Sequence, residues 1–574
     1  MSERVDAIIV GLGSAGGILA ERLTSAGLKV VGLEKGPDYG QEDFEIKHDE
    51  VRYYGRGAIV ANTSTDPVTW RATSRDTARV LPWSAGPLGT DEPLYGLPSI
   101  GTGGGTLHWG CAAYRFREAD FTMRSSIEAR FGSAALPEDT TLADWPITYA
   151  ELERYYDRAE YEQGVGGEAG NVNGVIQPEG NPFEAPRARP YPMAPVQQCA
   201  GDHRFVEATR QLGYHPFRQP LAINSREYRG RPACVNCGFC HGYPCHVKAK
   251  STTQVTSIPL AKATGNLDLR PFSRVIRILR DESGRRATGV AYVDSTGALH
   301  EVHAELVILT AYALENVRLM LLSGIDGNGQ VGQNFMTHNF GWATSILPER
   351  TNPFMGAFNG SSAIDDVTSE LIPDNDLGVV WGAPIISVTG DLQPIEAFHN
   401  MPPHAPRWGQ GLKEWMRDNY RRLHRMYSQT TNFPSARHFC DLDPNVKDRW
   451  GQPALRITHD WDPIDVTTVD YLGTFKKRIA EEMGALDFWQ EGGRPPYHLS
   501  THDVGVHRMG DDPATSVTDR HGAVHTCAGL YAIGGGGFPS YGGYNPNLTL
   551  QAVAYFSADA LLRGLGALPR AGSA

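Results

Sequence analysis

The sequence predicts an α/β fold in two parts: a parallel strand–helix–strand core and a second unit built on an antiparallel sheet. Three stretches carry that expectation. Residues 5–36 read as strand, glycine turn, helix and strand; residues 335–495 lose that pattern; residues 530–562 return to it. In the first stretch, apolar residues 7–10 predict a buried parallel strand. Gly11, Gly13 and Gly16 then form G-x-G-x-x-G, residues 18–23 continue with helical periodicity, and a second strand, Val30–Leu33, ends on Glu34. This order of elements is that of a Rossmann-type dinucleotide-binding unit. Gly11 permits the tight turn, Gly13 lets backbone approach a pyrophosphate, and Gly16 lets the helix pack close to the strand. The helix start then aims its free amides at the phosphates, and Glu34 is placed to take ribose hydroxyls. NAD and FAD fit this end of the chain alike.

The totals narrow the class. A chain of 574 residues calls for two or more domains, and 41% hydrophobic with 21% charged residues is the balance of a globular protein. A net charge of −12 with no Lys/Arg-rich run argues against a nucleic-acid or anionic-membrane partner. The first strand begins at once, leaving no room for a signal peptide, and no stretch approaches the ~18 apolar residues of a membrane span. A cytoplasmic address is the simplest reading. Of eight cysteines, Cys234, Cys237, Cys240 and Cys245 cluster, which suits a thiol or metal feature better than a disulfide framework.

Taken in order, residues 40–95 predict a long excursion over the nucleotide. Residues 101–110 are so rich in glycine that neither strand nor helix suits them, and bulky His108 and Trp109 favour a ligand-contacting turn. Residues 117–165 are helical, with Thr148 an N-cap, and residues 166–232 predict an arm across the surface or between subunits. Residues 267–269, 275–279 and 291–293 read as a β-meander, 306–310 as a strand returning to the core, and 311–323 as a helix; Gly332 to Asn334 opens a loop. Within 335–495, segments 379–381, 385–388 and 454–458 read as strands, and 466–483 as a helix returning to the first domain. At the far end, 530–533 is a strand running into glycines and 548–562 a helix opened by Thr549. Two helix N-termini suit a long ligand with a ring system at one end better than NAD alone.

With these motifs in order, the chain resembles the glucose–methanol–choline (GMC) flavoprotein oxidoreductases over nearly its whole length. The resemblance rests on Gly11, Gly13 and Gly16 with Glu34, on the Gly103–Trp109 run, on the cysteine block, on Val331 to Asn334, on His502 with Gly505, and on Asn545-Pro546. Three pieces are most similar to gluconate 2-dehydrogenase flavin subunits: residues 144–153, residues 234–240, and residues 543–546 leading to 554–559. Residues 106–109 and 507–510 are also similar to pyranose and C-glycoside oxidases. The resemblance implies an FAD-binding domain from residues 1–120, 190–334 and 496–574, a helical segment and arm over 121–189, and a substrate domain over 335–495. It departs from the family at Gly534–Gly537, where many relatives carry an acid, and at Pro244 and Lys248, where relatives tend to have glycine.

It further implies FAD contacts at Gly11, Gly13, Ser14, Ala15, Gly16 and Glu34; at Gly103, Gly104, Gly105, Thr106, His108, Trp109, Gly110 and Cys111; and at Val275, Gly535, Asn545, Pro546 and Thr549. His502 and Asn545 match the two catalytic positions. A neutral imidazole is the natural base near pH 7, so His502 takes the hydroxyl proton while Asn545, which cannot, positions the substrate oxygen. His507 is the runner-up base, although it matches a structural Arg-Met-Gly turn. His108 permits a covalent flavin bond without requiring it, and dissociable FAD is favoured. The cysteine block can hold iron–sulfur or zinc through thiolates, but structural thiols are favoured and no metal is assigned. Trp381, Trp408, Trp415 and Trp450 suit stacking on a sugar.

The expected function is oxidation of a secondary hydroxyl of a sugar or glycoside to a ketone, with O2 or a quinone or dye reoxidising the flavin. A gluconate-type catalytic subunit feeding a cytochrome is the second reading. A non-redox flavin-binding protein or lyase is the third, and the retained His502/Asn545 pair speaks against it. The arm at 166–232 points to a homo-oligomer.

Overall fold

The computed structural model describes residues 4–44, 50, 65–81, 99–358, 360, 362–369, 372, 376–390, 392–490 and 500–566. Most of the predicted excursion at 40–95 lies outside them. Strand β1 (Arg4–Val10) is followed by helix α1 (Ser14–Ser25), β2 (Val30–Leu33), β3 (Leu267–Arg270), β4 (Leu299–Leu309), β5 (Leu530–Ala532) and helix α2 (Asn547–Gly564). The five strands lie in the order β3-β2-β1-β4-β5 and pair in parallel, a Rossmann-type sheet assembled from three distant parts of the chain. Ala7, Ile8 and Ile9 of β1 are fully buried, as strands covered on both faces must be. Helices α1 and α2 pack together through one hydrophobic core containing Ile18, Leu19, Ala552 and Val553.

Residues 267–269 thus do not belong to a meander. They form the third parallel strand, tied in by the Val30 amide donating to the Asn266 carbonyl at 2.9 Å. A short apolar run carries no signal distinguishing a parallel from an antiparallel partner. The meander itself is Arg274–Arg280, Ala287–Val293 and the first half of β4.

The second unit is a six-stranded antiparallel sheet. Its strands run Asp487–Gln490, Asn339–Ile346, Leu423–Thr430, Ile385–Val388, Ser362–Ile364 and Phe217–Arg218 across the sheet. The expected helix at 466–483 is Pro463–Glu482, and it backs this sheet rather than returning to the first domain: Lys476 Nζ donates to the Gly341 carbonyl at 2.6 Å and to Ser428 Oγ at 3.0 Å. A third sheet runs Phe439–Lys447, Pro453–Thr458, Val68–Arg71 and Arg79–Val80, with residues 455–458 parallel to 68–71. The chain therefore exchanges strands across the expected boundaries, because sheet edges are completed by whichever strand arrives, near or far in sequence. Residues 379–381 form no strand; Val380 and Trp381 fill a core pocket with Met123, Ile127 and Phe433.

Two local signals are realised directly. Thr148 caps Tyr149–Gln163 in a reciprocal box, its hydroxyl accepting the Glu151 amide at 3.3 Å while Glu151 accepts the Thr148 amide at 2.9 Å, an arrangement worth about 1 kcal/mol. The arm at 166–232 contains a helix, Ala200–Gln211, that the sequence reading missed; Phe205 and Ala208 bury it against Leu347 and Ile364. Among the described residues, no helix is long and apolar enough to cross a membrane.

Candidate active site

The first glycine turn needs its glycines. Gly11 has φ +90°, and a Cβ on Gly16 would lie 2.0 Å from the Gly11 carbonyl oxygen. The second glycine stretch closes directly over it: the Gly103 amide donates to the Leu12 carbonyl at 2.9 Å, and a Cβ on Gly104 would come within 2.9 Å of the Gly13 Cα. Thr106 is buried in this turn and Gly105 is its exposed tip. Glu34, 6% exposed, ties both turns. Its carboxylate accepts the amides of Leu12 (3.1 Å), Gly36 (3.0 Å) and Gly101 (3.2 Å). A carboxylate has roughly four acceptor sites, so one remains for a ribose hydroxyl. Val275 lies close by, since the Ser273 amide donates to the Glu34 carbonyl at 2.8 Å.

The first turn of helix α2 lies beside the first turn of α1. The Ser14 hydroxyl donates to Asn547 Oδ1 at 2.8 Å and accepts from Gln551 Nε2 at 3.0 Å. Neither helix start has a side-chain cap: Gly13 leads into α1 and Pro546 into α2. Free amides of two helices converge where Asn547 Nδ2 and Asn545 Oδ1 are buried and unpartnered. Two uncapped N-termini beside the unpartnered Asn547 Nδ2 donor, on a turn where Gly11 and Gly16 leave no room for a Cβ, fit a pyrophosphate-bearing cofactor. Thr549 is fully buried with its hydroxyl paired to Tyr156 at 2.8 Å, and Ala15 is buried one residue beyond Ser14. Gly535 lies behind the loop that carries His502, its carbonyl accepting the Gly505 amide at 3.3 Å.

Beyond Gly105 the chain turns through His108, Trp109 and Gly110 to Cys111, which is fully buried at φ +67°. The cysteine block is stapled to this turn: the Gly242 amide donates to the His108 carbonyl at 2.8 Å, and buried Lys250 donates from Nζ to the carbonyls of Trp109, Cys240 and Tyr243. Lys248, where relatives tend to have glycine, is held at φ +62°. All eight cysteines are free thiols, and burial pushes Cys240 up to about 12 and Cys234 to about 11. Among the described residues, no group of three or more His, Cys, Asp or Glu is arranged to hold a metal ion.

His502 sits where residues 331–339 run against 500–506. Met336 and Val504 exchange backbone hydrogen bonds at 3.1 and 2.9 Å, and the hydroxyls of Thr337 and Ser500 meet at 2.8 Å. That register brings His338 Nδ1 to 2.9 Å from His502 Nδ1, while His338 Nε2 lies 2.9 Å from the Gly542 carbonyl. His502 Nε2 has no hydrogen-bond partner among the described residues. Burial and the nearby His241 push its pKa down to about 3, so the ring is neutral. Tyr541 donates to the His502 carbonyl at 3.3 Å, which anchors the loop leading to Asn545 beside the histidine. His507 is fully enclosed, with Gly536 so close that a Cβ there would lie 2.2 Å from Nε2, and it has no open face for a substrate.

An aromatic wall extends from His502. Phe340 lies 5.6 Å from it between ring centres, Trp342 stacks 6.1 Å beyond, Tyr427 backs both, and the Arg425 guanidinium covers Trp342 at 3.9 Å. The four tryptophans singled out in the sequence go elsewhere: Trp381 is core, Trp408 is 84% exposed on the surface, Trp415 packs behind Ile346, and Trp450 lies under Arg274. His338, Phe340 and Trp342 were missed. Their signal was the alternation over 338–342, where every second residue is aromatic.

Family models described as GMC oxidoreductase match residues 147–340 and 434–554. The chain is 32% identical to the gluconate 2-dehydrogenase flavoprotein of Pantoea cypripedii, covering 97% of this chain and 94% of that one. It is 27% identical to paromamine 6'-oxidase of Streptomyces fradiae (97% and 91%) and 26% identical to the fructose dehydrogenase large subunit of Gluconobacter japonicus (98% and 98%). Formate oxidase of Aspergillus oryzae shares the fold with a TM-score of 0.63 at 15% identity, over 98% of this chain and 99% of that one. With family models matching more than half of its length and near full-length relatives in one family, the chain belongs to the GMC oxidoreductases, FAD enzymes acting on CH–OH groups of sugars and alcohols.

Proposed function

We propose that the chain oxidises a secondary hydroxyl of a sugar or glycoside to the ketone, in the manner of a pyranose or C-glycoside 2- or 3-oxidase. The observation that carries this reading is the bare Nε2 of a neutral, half-buried His502 at the foot of the Phe340–Trp342 wall. FAD, held by the turns at Gly11–Gly16 and Gly103–Cys111 and by the start of α2, supplies the hydride acceptor. The chain's own residues manage the proton. His502 Nε2 takes it from the substrate hydroxyl, and the Asn545 amide holds that oxygen in reach. The apolar face of a pyranose stacks on Phe340 and Trp342, as sugar C–H faces do on aromatic rings. His108 is left unattached to the flavin, so acid precipitation is expected to release the yellow colour into the supernatant. Eight free thiols accord with a cytoplasmic address.

Anaerobic mixing with hexoses, aldonates, and O- and C-glycosides tests the reading. Bleaching of the flavin by a glycoside or hexose, reversed rapidly by air, is the expected result. Bleaching by none of them would overturn it. Likeness to the gluconate 2-dehydrogenase flavoprotein favours a second reading, a dehydrogenase subunit serving a cytochrome. Bleaching by an aldonate with slow reoxidation in air would select it.

A further inference from the structure

His338 lies outside every motif used so far, and it is the only protein group that meets the His502 ring nitrogens among the described residues. The hydrogen bonds around it have a fixed direction. A peptide carbonyl only accepts, so at the Gly542 carbonyl it is His338 Nε2 that donates. A neutral His338 carries one ring proton, which leaves its Nδ1 bare. At 2.9 Å from that bare nitrogen, His502 Nδ1 must then donate. We propose that His338 is the positioning residue that locks His502 in its Nδ1–H form, so that Nε2 is the proton-accepting atom turned toward the substrate. This inference rests on His502 being the base.

The surroundings fix each link of the chain. His338 is 0% exposed, and no carboxylate is among the influences on its ring; burial and His502 both push its pKa well below the usual range, so it stays neutral. Were it charged, both its nitrogens would donate, and His502 would have to present the bare nitrogen inward. The ring cannot rotate freely, because Tyr541 stacks on it at 4.1 Å with planes 12° apart. The Gly542 carbonyl is fixed as well: a Cβ on Gly542 would lie 2.2 Å from Asp120 Oδ1, and the preceding carbonyl of Tyr541 accepts from Thr431 at 2.5 Å. The other ionisable groups beside the pair are His241, which disfavours a charge on His502, and Tyr541, whose hydroxyl donates to the His502 carbonyl at 3.3 Å. When Nε2 takes the substrate's proton, the imidazolium still donates from Nδ1 to His338. The relay ends there, because a carbonyl cannot take the proton onward. The pair holds one extra proton and returns it through Nε2.

The test uses the FAD-loaded enzyme with 15N-labelled histidine. The expected spectrum has His502 protonated at Nδ1 and His338 at Nε2. His338→Phe keeps the stack on Tyr541 but removes the acceptor. It is expected to mix the His502 tautomers and slow anaerobic flavin reduction about 100-fold at saturating substrate, with KM changed less than about threefold. His338→Gln restores an acceptor oxygen and should recover the rate to within about tenfold of wild type. His502 protonated at Nε2 in the wild-type spectrum would overturn the proposal even if both variants fail to fold. So would a His338→Phe enzyme reducing flavin at the wild-type rate. Should His502→Ala reduce flavin normally while the wild-type tautomers are as expected, the base assignment fails and the positioning geometry stands.

Discussion

The nucleotide turn and the histidine pair are opposite solutions to building a site. At the turn, what matters is the absence of side chains: backbone is left bare, and at Gly11, Gly16 and Gly104 a Cβ would collide with a neighbouring backbone atom. At the histidines, what matters is two side chains 164 positions apart, brought within 2.9 Å by the register between residues 336 and 504. The first is a property of a contiguous stretch. The second belongs to the assembled fold, and a shift in that register would dissolve it.

The sharpest break of the first region is Gly16→Val. With 2.0 Å between the new Cβ and the Gly11 oxygen, the helix must move off the strand. The protein is expected to purify without flavin absorbance, while circular dichroism still reports a folded chain. A yellow, FAD-saturated variant would mean the turn tolerates far more than its geometry allows. The second region breaks differently. His502→Ala should keep its FAD and lose about 10³-fold in the rate of flavin reduction, roughly 4 kcal/mol of barrier, the usual reach of a general base. Stopped-flow absorbance on the loaded variant reads it directly.

This contrast explains how much was legible beforehand. Gly11, Gly13, Gly16 and Glu34 could be read because local spacing dictates their roles, and Thr148 because a cap needs only its own helix. His502 was legible through its glycine-rich neighbourhood. His338 was not, since nothing in its vicinity shows which distant segment it faces. The parallel placement of Leu267–Arg270 and the pairing of 68–71 with 455–458 failed for the same reason: strand partners are chosen in three dimensions. The tryptophans misled because composition names a residue type and not its position. Even Glu34 was half-read: an acid closing the second strand was legible, while its three backbone bonds were not.

The neutrality on which the pair depends extends through the molecule and makes a stability prediction. His338, His424, His438, His459 and His507 are all at most 2% exposed, and burial pushes each pKa below its usual value. The unfolded chain binds protons near pH 6.5 that the folded chain refuses, so stability falls as pH drops below 6.5. Asp365 and Asp465, pushed up to about 6 and about 8 by burial, act the other way, because the folded chain then holds protons the unfolded chain releases. Five histidines outweigh two acids. Between pH 6.5 and 5.5 the urea midpoint is expected to fall, with unchanged slope. A midpoint flat over that unit would show the imidazoles to be charged in the fold, and the tautomer argument would fall with it.

The smallest effect tests whether the aromatic wall belongs to the second region or is mere packing. Trp342 is only partly buried beside Phe340 and the Arg425 guanidinium, and its exposed part is what a ligand could touch. Trp342→Ala removes a stacking surface used equally in the bound substrate and the transition state. Uniform binding of that kind appears in KM and spares kcat. The expected change is about tenfold in KM for a glycoside substrate, near 1.4 kcal/mol, with kcat within twofold. A fall in kcat at constant KM would place Trp342 in the positioning machinery with His338. An unchanged KM with a lower melting temperature would return it to the core, and the substrate's apolar face would then have to rest elsewhere.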